Sequence, residues 1–155
     1  MKTKKVVIND CFGGFCLSPI AQERYLELIG KKAYFFENDF ENDKHMPLEK
    51  GTSKFLSSTF TVPNPDDFIK HEKKWYEMTA EEKEEYNKIY KSISFYASDL
   101  KRDDPLLIQV VEELGEKANG SYAQLKIVEI PEDVEWEIEE YDGSEHIAEK
   151  HQTWS

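Results

Sequence analysis

A chain of 155 residues, 39% hydrophobic and 13% aromatic, can order one sizeable hydrophobic core, is too short for two comfortable ones, and is too apolar for wholesale disorder. Its formal net charge of -12, from 32 acidic against 20 basic residues, repels phosphate backbones and anionic headgroups, which argues against duplex DNA and membrane surfaces as direct partners. The mean hydropathy is -0.72, no stretch approaches the roughly 20 apolar residues of a membrane helix, and the basic start MKTKKVVIND lacks the apolar run of a signal peptide, so a cytoplasmic location is expected.

Residues 5–12, KVVINDCF, carry the β-branched run of a buried strand, broken by Gly13-Gly14. Ser18-Pro19 is a helix start, because the serine oxygen accepts from a free first-turn amide and proline tolerates the first helical position. Ala21, Tyr25, Leu28 and Ile29 recur at helical spacing and Gly30 stops the helix, giving a helix over 19–29. Tyr34–Phe36 is a short strand candidate. The polar stretch 37–52, rich in Asn, Asp, Pro and Gly, predicts a loop that is mobile across 40–52.

Residues 54–62 predict a strand ended by Pro63-Asn64-Pro65, and 66–76 a short helix. Thr79 with Glu82 matches a capping box that opens a helix through about Tyr90, with Tyr86, Ile89, Tyr90 and Ile93 on its apolar stripe. Residues 93–97 could return as a strand. Asp104-Pro105 repeats the cap-plus-proline start, Leu107, Val111, Leu114 and Ala118 mark one face, and Asn119-Gly120 closes a helix over 105–118.

Strands follow at 122–130 and 134–141, the second alternating Val134, Trp136 and Ile138 with Glu135, Glu137 and Glu139. Asp142-Gly143 then signals a two-residue hairpin turn closed by Tyr141 and Ser144. That register sets Glu139 opposite His146, Ile138 opposite Ile147, Glu135 opposite Lys150 and, less comfortably, Trp136 opposite Glu149. A helix over 145–152 is the alternative. The expected fold class is α+β: one mainly antiparallel sheet from strands 5–12, 122–130, 134–141 and 145–152, with two helices on one face. It is read as a single domain with a polar variable insertion near 37–97.

Several constellations carry chemistry on paper. Gly13 and Gly14 sit between strand and helix, where phosphate-cradling loops occur, and with Ser18 they make a candidate anion or ligand site. Their spacing matches no nucleotide-binding motif, and a tight strand-to-helix turn is the structural alternative. Cys11, Cys16, His146 and His151 could supply zinc ligands, but the four-residue spacings and strand alternation separate them, so no metal and no cofactor is expected. Cys11, His146 and Glu139 are the one drawable nucleophile set, weighed against a small buried thiol. Glu135, Glu137, Glu139, His146 and Lys150, with Trp136, Tyr141 and Trp154 nearby, form the candidate partner-binding face, against which stand plain solvation and core packing.

The blocks VVINDCFGGFCLS and DPLLIQVVEELGEKANGSYAQLKIVEIPEDVEWEIEEYDGSEHIAEKHQTW, over roughly residues 5–30 and 102–154, resemble a family of small uncharacterised proteins encoded by bacteriophages and prophages. The stretch 37–97 does not resemble that family and reads as an insertion. The resemblance implies a genomic setting rather than a mechanism: an accessory protein in the host cell cytoplasm. The function expected is non-enzymatic binding and blocking of a host component, such as a defence protein. The alternative is sequestration or cleavage of a nucleotide signal. A host protein or a small nucleotide ligand is thus the expected partner, and the hairpin edge would permit a homodimer.

Overall fold

The structure, a computed structural model, describes residues 2–39, 44–48, 57–69 and 73–150. It is an α+β fold, and every strand pairing among the described residues is antiparallel. The chain divides into two compact units, one formed by residues 1–28 with 97–155 and the other by residues 29–96. Among the described residues no helix is long and apolar enough to cross a membrane.

In the first unit, β1 (Thr3–Asn9) pairs with β6 (Leu125–Pro131), setting Val6 opposite Val128 and Asn9 opposite Leu125. Helix α1 (Pro19–Leu28) packs with α4 (Pro105–Leu114), whose C-terminus tightens into a 3-10 turn at Gly115–Ala118. The core contains Val6, Val7, Ile8, Leu17, Ala21, Tyr25, Leu26, Leu107, Val110 and Val111, all buried. Leu26 takes the place expected for Ile29, which is exposed.

Both helix starts follow their sequence signals. Ser18 Oγ accepts from Ala21 N at 3.2 Å, and Asp104 Oδ1 accepts from Leu106 N at 2.8 Å. The other oxygen of Asp104 accepts the Tyr25 hydroxyl at 2.6 Å, so the cap of α4 also ties down α1. Burial, and then that bond, push the Tyr25 hydroxyl up to about 12.

Strands β7 (Trp136–Tyr141) and β8 (Ser144–Glu149) form the predicted hairpin in the predicted register: Tyr141 faces Ser144, Glu139 faces His146, Ile138 faces Ile147 and Trp136 faces Glu149. Lys150 N donates to Glu135 O at 2.9 Å, which continues that register. The helical alternative for 145–152 is thereby excluded through Glu149; residues 151–155, with His151 and Trp154, lie outside the described residues.

The four strands do not merge into one sheet: β1–β6 and β7–β8 are separate ladders. The reason lies on the free edge of β1. Its outward amides are already taken, Val7 N by Arg102 O at 2.8 Å and Asn9 N by the Glu145 carboxylate at 2.8 Å. With those donors satisfied, the edge offers a neighbouring strand little to pair with.

The second unit holds the sheet β3-β2-β4-β5, from β2 (Tyr34–Asp39), β3 (Lys44–Pro47), β4 (Ser57–Phe60) and β5 (Ser94–Phe95). Phe36, Phe60, Ile69 and Ile93 form its core. Helix α3 (Ala80–Ile93) starts at the predicted capping box: Glu82 N donates to Thr79 Oγ1 at 3.1 Å and Thr79 N to the Glu82 carboxylate at 3.4 Å.

Two expectations for this unit change. The loop over 37–52 is instead strand at its start and at 44–47, because the polar segment gains β2 as a partner, and Leu48 N adds a bond to Phe35 O at 2.9 Å. The rest of the stretch expected to be mobile, 40–43 and 49–52, lies outside the described residues. Of the helix expected over 66–76, the described residues form α2 (Pro65–Phe68), whose preceding Asn64 supplies no side-chain cap, and a 3-10 turn at Trp75–Glu77.

Candidate functional site

Three loops meet at one end of the first unit. Asn9, fully buried at the end of β1, donates through Nδ2 to Cys11 O at 2.7 Å and Gly143 O at 2.8 Å, and its Oδ1 accepts from Gln124 N at 2.8 Å. One side chain thus fastens the loop after β1, the loop before β6 and the hairpin turn. Glu145, also buried, forms a bidentate pair with Arg102 at 2.6 and 2.9 Å, and the Arg102 guanidinium lies 3.6 Å from the Phe15 ring centroid. Such a pair is a fixed scaffold rather than a reactive centre, since each charge is fully engaged.

The glycines make these close approaches possible. A methyl group on Gly13 would overlap the Tyr122 backbone, and one on Gly143, at φ 90°, would stand 2.6 Å from Gly14 N and 3.0 Å from Phe12 O. Gly14 itself takes φ 89°. The Gly13-Gly14 turn is therefore packed between the Tyr122 loop and the hairpin turn. Ser18 is similarly occupied: besides capping α1, its hydroxyl donates to Lys117 O at 2.5 Å.

Beside this junction opens a cleft of about 880 Å³, lined among others by Cys11, Phe12, Gly13, Asn119, Tyr122 and Gln124. Phe12 is 69% exposed, Tyr122 68% and Tyr141, at the hairpin turn, 77%. Asp10 and Asp142 are exposed in these loops, Glu116 in the 3-10 turn that follows α4, and Glu140 at the end of β7, where its carboxylate accepts from Gly143 N at 3.2 Å.

On the hairpin, Glu135, Glu137 and Glu139 are exposed and fall on the same side as Tyr141, with His146 and Lys150 in the facing row. His146 Nε2 lies 2.9 Å from the Glu139 carboxylate, both side chains being more than half exposed, so the pair contributes little to stability. Trp136 points to the opposite side, half-buried, with Lys4 Nζ 5.8 Å from its ring. Five predicted residues, Glu135, Glu137, Glu139, His146 and Lys150, thus share one face, while Gly13, Gly14 and Ser18 lie in the packed loops.

The drawn nucleophile set is not assembled. Cys11 lines the cleft, whereas His146 stands on the hairpin's outer face paired with Glu139. Desolvation pushes the Cys16 thiol above its ordinary value, although the residue reaches the surface. Among the described residues, no group of three His, Cys, Asp or Glu side chains could hold a metal ion.

Sequence reading missed a His–Asp pair in the second unit. Asp66 accepts from His45 N at 3.0 Å and lies 2.7 Å from His45 Nδ1, while the imidazole packs edge-on against Phe60 at 5.0 Å. Asp66 would hold the proton on Nδ1, as in general-base dyads, but the ring is walled by Phe36, Phe60 and Tyr90. The pair ties β3 to α2. Its local signal was slight: 21 residues separate the partners, and His45 sits in a stretch with loop composition.

Comparison with known proteins finds no matching family model, no matching curated protein and no matching solved structure.

Proposed function

We propose that this is a non-enzymatic binding protein that presents an acidic face to a basic surface of a host component and blocks it, in the bacteriophage setting that its terminal blocks suggest. The observation that carries the proposal is the exposed row Glu135, Glu137, Glu139 on a rigid hairpin, within a chain of net charge -12. Solvated carboxylates on a fixed strand speed encounter with a cationic surface and select against anionic ones. They are also cheap to change, because none supports the core.

The test is association kinetics with a candidate host protein across a salt series. Replacing Glu135, Glu137 and Glu139 together by lysine should slow association and reverse its salt dependence while the fold persists. Unchanged kinetics would reduce the row to solvation.

A second reading, sequestration or cleavage of a nucleotide signal, draws on the cleft between Phe12 and Tyr122, whose rings could stack a base. The carboxylates around it oppose the phosphates. Copurification of material absorbing near 260 nm would favour this reading, and its turnover would favour cleavage.

A further inference from the structure

We propose that Phe12, Tyr122 and Tyr141 anchor the docking surface, and that its occupant is an arginine-bearing loop of a basic protein. The inference rests on the binding reading above and moves its energetic centre from the carboxylate row to the junction of the three loops.

These three rings are the large exposed hydrophobics of those loops, and each is more than two-thirds exposed. Phe12 and Tyr122 both line the cleft, and Tyr141 closes the turn whose Gly143 approaches the Phe12 carbonyl. Exposed rings of this size leave apolar area in water that a partner could cover, and Tyr and other aromatics dominate interface hot spots.

The base beneath them is rigid. Asn9 holds all three loops through Cys11, Gln124 and Gly143, and the Arg102–Glu145 pair fixes the strand beside them. A preorganised surface loses little freedom on binding.

Charge identifies the occupant. Residues 10–16, 115–124 and 140–144 carry exposed Asp10, Glu116, Glu140 and Asp142 against one cation, Lys117. Aromatic faces bordered by carboxylates suit a guanidinium, which can stack on a ring and take bidentate bonds from an acid at its edge. The same chemistry already operates inside this unit, where Arg102 stacks on Phe15 and pairs with Glu145. A phosphate would meet the opposite field.

The experiment is an amide NMR titration of the full chain with a short arginine–glycine peptide, and with its citrulline counterpart as the neutral control. The arginine peptide should shift the amides of residues 12–14, 121–123 and 141–144, and the citrulline peptide should not. Replacing Phe12, Tyr122 and Tyr141 by alanine, which leaves every backbone bond of the junction in place, should weaken binding by about tenfold or more. If that variant binds as well as the parent while the lysine triple at Glu135, Glu137 and Glu139 loses binding, the aromatic anchor is wrong and the acidic face stands. Binding indifferent to both variants would overturn both. Absence of binding, equal binding of the citrulline peptide, or displacement of the arginine peptide from these amides by AMP would overturn the inference.

Discussion

Replacing Glu145 by Gln removes one charge from a pair that is almost dry, the Glu145 side chain being 7% exposed and that of Arg102 17%. Gln can still accept from Asn9 N, now at 2.8 Å, so the change isolates the loss of the carboxylate opposite Arg102. Leaving a buried charge unpaired costs about 3–5 kcal/mol, and stacking on Phe15 shields Arg102 partly, so about 3 kcal/mol is expected. Ala at 145 also orphans the Asn9 amide, which raises the cost by about 1–2 kcal/mol. With a urea dependence of about 2 kcal/mol per molar, the Gln variant should lower the unfolding midpoint by about 1.5 M at constant slope. The methyl signals of Val6 and Leu107, both fully buried in the first unit, are the appropriate probes. A variant with Met at both 102 and 145 strands no charge but leaves the Asn9 amide without its acceptor, so it should recover only part of the loss. A loss below about 1 kcal/mol for the Gln variant would mean that the pair is effectively solvated, and the reasoning would fail.

Alkaline titration tests Tyr25. Its hydroxyl ionises near 10 in an unfolded chain and at about 12 in the fold, so the unfolded chain gives up its proton first. The stability from this group is complete below pH 10 and is lost as pH rises through 12. The difference is worth roughly 2–3 kcal/mol, and it should vanish in Tyr25→Phe when urea midpoints of the two proteins are compared across that window. Gly143→Ala should cost at least about 1–3 kcal/mol, seen as a lower melting temperature, because φ 90° disfavours any side chain and the methyl meets Gly14 N. Thr79→Ala should destabilise the second unit by about 1 kcal/mol through loss of the α3 cap, measured by hydrogen exchange along that helix. Trp136→Ala should cost less than the roughly 3–5 kcal/mol typical of a fully buried tryptophan, because the residue is only partly buried; a loss at the upper end would place it in the core.

What the sequence by itself determined is what a few neighbouring residues decide. Asp142-Gly143 sets the hairpin register, since a two-residue turn with positive φ at both positions leaves one way to zip β7 onto β8. Thr79 with Glu82, Ser18 and Asp104 start their helices through oxygens that reach amides two or three residues ahead. The acidic row was legible for the same reason, because strand alternation alone places Glu135, Glu137 and Glu139 together.

Only the tertiary structure decided the rest. Strand composition at 44–47 is loop-like, and pairing with β2 overrides it. Glu145 looks like one more surface acid of a charged strand, yet it is buried by partners 43 and 136 residues away, and with them it occupies the edge of β1 that would have joined the two ladders. Gly13 and Gly143 read as turn residues, and their second role, letting one backbone touch another, exists only once the loops meet. The physical reason is common to all three: local chemistry sets which bonds a segment can make within itself, whereas the bonds left over at strand edges and loop backbones are assigned by whichever distant segment packing brings within reach.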